Sequence, residues 1–553
     1  MIVRVKTVYL LPILTGLFIG TSYIPFPPWA ILFGLTPLII ATIRETERLR
    51  TPPPPPLPSQ TSFRKTAGRA FLFGWLAQFL LNAIGFHWIS ITAVEFGHFP
   101  MWAGILVLIG FCAIAHLYYA FAPALTVVLT LWQERRHGRH QTVTPGLQIG
   151  IFLASFAAIE AVWPAIFPWH LGYTWLWAGF PGAQAADLVG FEGLNLLTLV
   201  ANGLFAMGWL RWTPNSQKLS DRLRPTLPWL VGGLAVFLAV NLVGLGREKP
   251  WQNTDGLLKL LIVQGNVGNY EKLIAEKQKD FSIPIVENYI KLSAEGFNQH
   301  PDASFALWPE TAYPDYLDQA FSNEKNWIAL RGFTSARNKM ILTGAYSYDT
   351  EKKKTYNGFF AMSGTGTLLT EPYRKSILIP FGEKFPFSDI IPYTKWLFPG
   401  LGSFGEGPGP SVMNLGEFRL GPQICLESLY PKFSAAMAVK GAEVFSNVTN
   451  DSWFGRTFEP YQHMTMTLAR AVENRRPLLR STNTGITTVM LASGEQLQNS
   501  PIDKEWYGAY TVPYVKNPPT VLYSKIAGYS VWLALCALMG FLIQAMRQLK
   551  RQT

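Results

Sequence analysis

The chain has 553 residues, of which 49% are hydrophobic and 15% are charged, and it carries 19 tryptophans and a net charge of +12. This length exceeds what one ordinary core needs, and the hydrophobic share is typical of a membrane protein with a soluble part. The positive charge does not indicate a nucleic-acid partner, because the basic residues fall mainly in short loops between apolar runs and no nucleic-acid motif is present.

Eight apolar runs predict membrane spans, each of which needs roughly 20 helical residues. In chain order they cover residues 7–24, 29–43, 70–94, 101–132, 147–166, 194–210, 228–245 and 526–543. The second run follows the first at once, so we expect the first to be retained and not cleaved as a signal peptide. A loop without Lys or Arg follows the fifth run, and we expect its tryptophans to lie at the headgroup level: Trp163, Trp169, Trp175 and Trp177.

The basic residues predict the orientation. They cluster before the first span, in the loops after the second, fourth and sixth spans, and after the eighth. Eight crossings place all five clusters on one side, which the positive-inside rule identifies as the cytoplasm. We therefore predict a membrane domain at 1–250 with seven spans, an outside domain at 251–515, the eighth span within 520–546 and a cytoplasmic tail at 547–553.

Two ionisable residues lie within or beside the spans. His87 and Glu160 could face a substrate route, because such groups are costly at membrane depth and often functional. Both could equally lie near span ends and reach water or a backbone partner, so neither is assigned to the site.

The outside block alternates short β-prone runs with amphipathic helical segments, which predicts a layered α/β domain. Strands are predicted at 257–263, 304–308, 340–346, 359–362, 367–371, 418–424, 443–448, 478–481 and 487–492, and helices at 272–295, 323–338, 430–440 and 460–473.

Cys425 lies where a predicted strand turns into a predicted helix. The unpaired N–H groups of a helix start favour the thiolate, which is the nucleophilic form. Cys112 and Cys536 lie inside apolar runs, so Cys425 has no disulfide partner in the outside block. Buried cysteines also serve as small hydrophobic residues, so this stretch alone does not decide between the two roles.

Glu310 and Lys375 also lie at strand ends or in the loops that follow. Attack of a cysteine on an acyl carbon needs a base for the thiol proton and a positive group for the oxyanion, and these two residues could supply them. Alternatively, Glu310 could be a surface turn residue and Lys375 a solvated cation.

The motifs around these three residues resemble the Glu-Lys-Cys signatures of the nitrilase superfamily. They are Trp308-Pro309-Glu310, Tyr373-Arg374-Lys375 with Ile379-Pro380-Phe381-Gly382-Glu383, and Ile424-Cys425-Leu426-Glu427. With seven spans before the outside block and one after it, nearly the whole chain resembles the apolipoprotein N-acyltransferases of bacterial inner membranes. Stretches 447–455, 470–477 and 483–485 add to the resemblance.

The resemblance implies a multi-pass α-helical bundle of eight spans plus an extracytoplasmic α/β nitrilase-type αββα sandwich, located in the inner membrane with the catalytic domain in the periplasm. It also implies a ping-pong acyl transfer. Cys425 would take an acyl chain from a phospholipid, typically phosphatidylethanolamine, and pass it to the amino group of the diacylglyceryl-cysteine of an apolipoprotein. Glu310 would be the base and Lys375 the oxyanion partner, with Glu383 and Glu427 orienting Lys375 and the thiol. No metal or cofactor is expected, and we expect a monomer.

The stretch 393–401 is apolar and aromatic within a Gly/Pro-rich region. It could be a mobile arm that dips into the membrane interface, or a buried loop of the domain. Trp396 and Phe398 in this stretch, together with Trp453, are the candidate lipid-binding residues.

Two other functions stay open at this point. One is a membrane-tethered amidase or nitrilase that uses water as the acceptor with the same three residues. The other is a transporter or lipid-binding scaffold with an inactive outside domain, against which the intact Glu310, Lys375 and Cys425 argue.

Overall fold

The computed structural model describes residues 2–48, 60–95, 97, 99–137, 141–212, 218–319, 323–380, 382–384 and 404–552. Helices, most of them apolar, make up the first part of the chain: α1 (Ile2–Gly20), α2 (Thr36–Arg48), α3 (Gln60–Gly85), α4 (Trp88–Glu95), α5 (Met101–Ile114), α6 (Tyr118–His137), α7 (Pro145–Val162), α8 (Tyr173–Trp177), α9 (Ala186–Arg211), α10 (Leu219–Leu223) and α11 (Leu227–Gly244).

Six helical segments in the described part of the chain are long and apolar enough to cross a membrane. They are Phe63–Gly85, Met101–Arg136, Pro145–Val162, Pro181–Arg211, Leu227–Gln252 and Ser530–Gln552. These match six of the eight expected spans. The first expected span, 7–24, corresponds to α1, which ends at Gly20, and residues 21–24 after it form turns. The second expected span, 29–43, corresponds to α2, which begins only at Thr36 because residues 29–35 form turns. The 13 residues of α2 extend about 20 Å.

Two expected spans are interrupted. The run 70–94 breaks between α3 and α4, and the run 101–132 breaks at residues 115–117 between α5 and α6. At the second break, the side chain of Gln78 accepts a hydrogen bond from the His116 backbone N–H and donates one to the Ala113 carbonyl. These contacts replace helical backbone bonds that the break removes, which is the condition for interrupting a helix at membrane depth.

The second part of the chain is the α/β domain. Its elements are β1 (Gly256–Gln264), α12 (Asn269–Lys277), α13 (Ser282–Gln299), β2 (Phe305–Leu307), β3 (Tyr313–Tyr316), α14 (Glu324–Arg337), β4 (Met340–Asp349), β5 (Lys354–Met362), β6 (Tyr373–Arg374), β7 (Met413–Asn414), β8 (Arg419–Ile424), α15 (Pro431–Val439), β9 (Val444–Thr449), α16 (Glu459–Asn474), β10 (Leu478–Thr482), β11 (Thr488–Met490) and β12 (Trp506–Tyr514). The chain then returns to the membrane part through α17 (Leu522–Ile526) and α18 (Ser530–Gln552).

The strands form two sheets that face each other. The first has the order β12-β1-β2-β4-β5-β6, with β3 paired to β4, and the second has the order β11-β10-β9-β8-β7. Apolar side chains join the inner faces, as where Phe305 stacks on Phe418. Helices α13 and α14 cover the first sheet and α15 and α16 cover the second. This layer order is the predicted αββα sandwich.

Several local predictions were wrong. The predicted helix 272–295 is two helices, α12 and α13, separated by the 3-10 turn Lys279–Phe281. The predicted strand 367–371 contains only an isolated bridge at Leu368, because it lies between a turn at Gly366 and Pro372. Strand β12 was missed, although its burial alternates along much of its length as expected for a half-exposed strand.

Helix α16 joins the α/β domain to the membrane helices, and nearly all of its residues are buried. Gln462 donates hydrogen bonds to the backbone carbonyls of Ile24 and Gly85. Near the other end, Glu473 accepts one from the Phe191 backbone N–H. The helix that covers the second sheet is therefore fixed directly to the membrane part.

Candidate active site

Cys425 begins a tight turn at the end of β8. The chain passes from β8 into the 3-10 turn Cys425–Leu429, and Cys425 has a φ of 54°, which is unfavourable for a residue with a Cβ. Its carbonyl oxygen accepts hydrogen bonds of 3.1 Å each from Asn447 Nδ2 and Ser428 Oγ. These contacts hold the strained turn, which projects the thiol from the end of the strand.

The expectation that a helix start favours the thiolate form of Cys425 was wrong. Helix α15 begins only at Pro431, so the thiol does not lie at its first turn, and Cys425 is 4% exposed. Burial and then the Glu310 carboxylate raise the pKa of Cys425 well above its ordinary value, whereas Lys375 acts in the opposite direction. The resting group is therefore a thiol.

Glu310 follows β2 and is 6% exposed. Its Oε1 accepts hydrogen bonds from Lys375 Nζ at 3.1 Å and Asn357 Nδ2 at 2.7 Å, and its Oε2 accepts one from the Asn450 backbone N–H at 3.0 Å. The buried Lys272 donates to the Glu310 carbonyl oxygen. Both the side chain and the backbone of Glu310 are thus fixed.

Gly344 in β4 permits this placement. A Cβ at this position would lie 2.7 Å from the Glu310 Cα and 2.6 Å from the Thr311 backbone nitrogen. Any larger residue would push the Glu310 backbone away from the site.

Lys375 is fully buried between two carboxylates. Its Nζ lies 3.1 Å from Glu310 Oε1 and 2.7 Å from Glu383 Oε1. Burial alone would lower the pKa of Lys375, but Glu310 and Glu383 outweigh it and hold this pKa well above the ordinary value. The ammonium is therefore a permanent positive charge beside the thiol. Glu383 is itself oriented by the Ile379 backbone N–H.

Glu427 ties the segment that carries Lys375 to the cysteine turn. Its Oε1 accepts hydrogen bonds from the Tyr373 hydroxyl and the Ser376 and Ile377 backbone N–H groups, and its Oε2 accepts one from the Ile424 backbone N–H. Burial raises the pKa of Glu427 to about 7 in spite of these four donors. The structure therefore brings all five predicted catalytic and supporting residues together.

Two residues of this site were missed in the sequence. Asn357 donates to both Glu310 and Glu383 from the middle of β5, and an asparagine inside a strand was a usable signal because this residue is depleted there. Arg480 donates to the Oδ1 of Asn447, the residue that holds the Cys425 carbonyl. Its role depends on a distant contact that no local pattern indicates.

Of the three candidate lipid-binding residues, only Trp453 lies within the described part of the chain. Trp453 is half-buried in the 3-10 turn Asp451–Phe454 and packs against the main core. Trp396, Phe398 and the stretch 393–401 lie outside the described residues.

Several residues of the membrane part make local contacts. Glu160 accepts a hydrogen bond from Asn195 Nδ2, and the His87 ring packs against Phe458. Trp169 and Trp175 are buried in the protein core, and the expectation that the loop tryptophans lie at the headgroup level stays a prediction. Their indole N–H groups donate to the side chains of His116 and Thr198, which explains how they can be buried.

The two-sheet fold with a buried glutamate, lysine and cysteine at strand ends defines a domain of the carbon–nitrogen hydrolase class, joined here to membrane helices. Residues 262–504 match the family described as carbon-nitrogen hydrolase, and residues 15–204 match the apolipoprotein N-acyltransferase N-terminal domain.

The chain is also similar over most of its length to curated proteins. The apolipoprotein N-acyltransferase of Bdellovibrio bacteriovorus is 40% identical over 96% of this chain and 92% of that protein. The apolipoprotein N-acyltransferase of Geobacter metallireducens is 29% identical over 90% of this chain and 88% of that protein. The one of Caulobacter vibrioides is 31% identical over 76% of this chain and 73% of that protein. The chain belongs to the apolipoprotein N-acyltransferase family.

The buried Glu427 predicts a pH-dependent stability difference. Its folded-state pKa of about 7 lies above the ordinary glutamate value, so the folded protein binds this proton more tightly than the unfolded chain. Stability from this group is complete below the ordinary pKa and is lost as the pH rises through about 7, by about 3 kcal/mol in total. Glu427→Gln cannot titrate, so we expect its Tm relative to the native protein to increase between about pH 5 and about pH 8.

The measurement is a thermal melt of both proteins in detergent across this range. Glu371→Gln, the same change at an exposed position of the domain, is the control and should show no such trend. A Tm difference for Glu427→Gln that is independent of pH would contradict this assignment.

Thiol reactivity gives a second prediction. Because Glu310 raises the pKa of Cys425 and Lys375 lowers it, Glu310→Gln should move the pH midpoint of Cys425 alkylation down and Lys375→Met should move it up, each by about 1–3 pH units. The readout is the rate of iodoacetamide modification of the Cys425 peptide by mass spectrometry. Shifts in the opposite directions would contradict the conclusion that Glu310 raises, and Lys375 lowers, the pKa of Cys425.

Proposed function

We propose that this protein transfers an acyl chain from a phospholipid to the α-amino group of the N-terminal diacylglyceryl-cysteine of apolipoproteins. Curated relatives carry the name apolipoprotein N-acyltransferase over nearly the whole chain. The observation that carries the mechanism is the buried Lys375 ammonium, 3.1 Å from Glu310 and beside the Cys425 thiol.

In the first half-reaction, Cys425 Sγ attacks the ester carbonyl carbon of the phospholipid while Glu310 takes the thiol proton. The Lys375 ammonium stabilises the oxyanion of the tetrahedral intermediate. The intermediate collapses with loss of the lysophospholipid, whose alkoxide oxygen takes the proton from Glu310. Cys425 now carries the acyl chain as a thioester.

In the second half-reaction, the amine of the diacylglyceryl-cysteine attacks the thioester carbonyl and Lys375 again stabilises the oxyanion. Glu310 accepts a proton from the attacking nitrogen and returns one to the Cys425 sulfur as it leaves. The products are an amide and the original thiol. Every proton moves through Glu310, so this sequence does not call on a cofactor.

The location of the α/β domain supports lipid substrates. Helix α16 covers the sheet that ends in Cys425 and is fixed to the membrane helices through Gln462 and Glu473. A soluble amidase substrate would not require this attachment. The donor we propose is phosphatidylethanolamine and the acceptor is a diacylglyceryl-apolipoprotein, with the protein acting as a monomer.

We propose that the protein crosses the inner membrane eight times, with the catalytic domain in the periplasm. Asp187 at the start of α9 contacts Arg475 of the α/β domain, whereas Arg211 lies at the opposite end of this helix. The basic end of α18 contacts the α6–α7 loop through Gln548 and Thr144, away from the α/β domain. This separation is consistent with basic loops in the cytoplasm.

The first half-reaction can be tested without an acceptor. The purified protein is incubated with phosphatidylethanolamine, and its intact mass is measured before and after hydroxylamine. We expect a hydroxylamine-labile acyl adduct on the native protein and on the control Cys536→Ser, and none on Cys425→Ala. Glu310→Gln should form the adduct about 10²–10⁴ times more slowly, because it lacks the base.

Two outcomes would contradict the proposal. An adduct that persists in Cys425→Ala would place the nucleophile elsewhere. Absence of both adduct and free fatty acid with the native protein would indicate an inactive domain.

A further inference from the structure

A second buried group of ionisable residues lies behind the cysteine turn. Asp451, Glu459 and His463 each place one potential ligand atom within 4.8 Å of the others, and all three side chains are buried. His463 Nδ1 lies 3.1 Å from Asp451 Oδ1 and 3.5 Å from Glu459 Oε1. None of the three takes part in the acyl transfer described above.

The two carboxylates of this group differ in their partners. Asp451 Oδ2 pairs with Arg480 Nη2 at 2.8 Å. In contrast, neither carboxylate oxygen of Glu459 has a hydrogen-bond partner among the described atoms, and no described lysine or arginine pairs with it. A buried carboxylate without a partner is costly, so Glu459 needs either a proton or a cation.

The geometry favours a cation over a proton. A proton on Glu459 would need an acceptor, and His463 Nδ1, 3.5 Å from Glu459 Oε1, already makes a hydrogen bond to Asp451 Oδ1. Two ligands bound tetrahedrally to one zinc ion at about 2.0–2.1 Å lie about 3.3 Å apart, and the two separations from His463 Nδ1, 3.1 Å to Asp451 and 3.5 Å to Glu459, bracket this value. Imidazole and carboxylate ligands together suit zinc and related divalent ions.

We propose that Asp451, Glu459 and His463 bind a divalent transition-metal cation of the zinc type. This departs from the expectation, drawn from the sequence, that the protein holds no metal. The ion is structural and takes no part in the transfer chemistry. It joins the start of α16, which carries Glu459 and His463, to the turn after β9, which carries Asp451.

The site lies next to the contacts that hold the nucleophile. Arg480 donates to both Asp451 and Asn447, and Asn447 in turn donates to the Cys425 carbonyl. Thr449 donates to Asp451 Oδ1 from the end of β9. A cation here would therefore fix the ligand Asp451 and, through Arg480, the support of the strained Cys425 turn.

The test uses the full-length protein purified in detergent without chelators. Its zinc content is measured by elemental mass spectrometry after equilibration with Zn²⁺ and removal of the excess. The metal is then stripped and replaced by Co²⁺, whose visible absorption reports coordination. We expect stoichiometric zinc, a cobalt spectrum of low coordination number and a higher Tm for the loaded protein than for the stripped one.

Glu459→Gln separates the cation from the proton, because glutamine has the shape of a neutral glutamic acid. The proposal predicts at least about tenfold weaker zinc binding in this variant. The matched control is Glu473→Gln, which neutralises a buried acid at the other end of α16 and should retain the metal.

A native protein that holds no zinc after loading would overturn the proposal. So would a Glu459→Gln variant that binds zinc as tightly as the native protein. If Glu459→Gln fails to fold, the zinc content and cobalt spectrum of the native protein and of Glu473→Gln decide the question without it.

Discussion

The site depends on one constraint, which is that the buried ammonium of Lys375 must be paired. A lysine with no solvent contact is stable only beside carboxylates, and Glu310 and Glu383 supply them at 3.1 and 2.7 Å. These two acids come from a strand end of the first sheet and from a later loop, so the ion pairs also fix the loop against the sheet. The same pairing leaves a positive charge beside the Cys425 thiol.

Glu427, in the turn after β8, connects the second sheet to the segment that carries Lys375. Its carboxylate binds the backbone on both sides of the gap, at Ile424 before the cysteine and at Ser376 after the lysine. Because helix α16 covers this sheet and contacts the membrane helices through Gln462, the position of Cys425 is linked to the membrane part. A domain of the carbon–nitrogen hydrolase class thereby comes to work beside a lipid phase.

Local patterns in the sequence were sufficient for most of the strands of the two sheets and for the residues at their ends. Glu310, Lys375 and Cys425 each follow a β-prone run, and their motifs identified the family. The protonation state of Cys425 could not be predicted, because it depends on burial and on a carboxylate brought near by the fold. The helix break at residues 115–117 could not be predicted either, because the sequence from 101 to 132 stays apolar. Gln78, whose hydrogen bonds replace the lost backbone bonds, lies on another helix.

Acyl transfer to an amine is tested most directly by following the acyl group once it is on the enzyme. Acyl-enzyme prepared from phosphatidylethanolamine carrying a labelled chain is freed of lipid and mixed with a synthetic diacylglyceryl-cysteine peptide. We expect the label to move to the peptide amine as an amide, faster than it appears as free fatty acid. Release of the label only as free fatty acid, at a rate independent of the peptide, would contradict it and indicate a hydrolase.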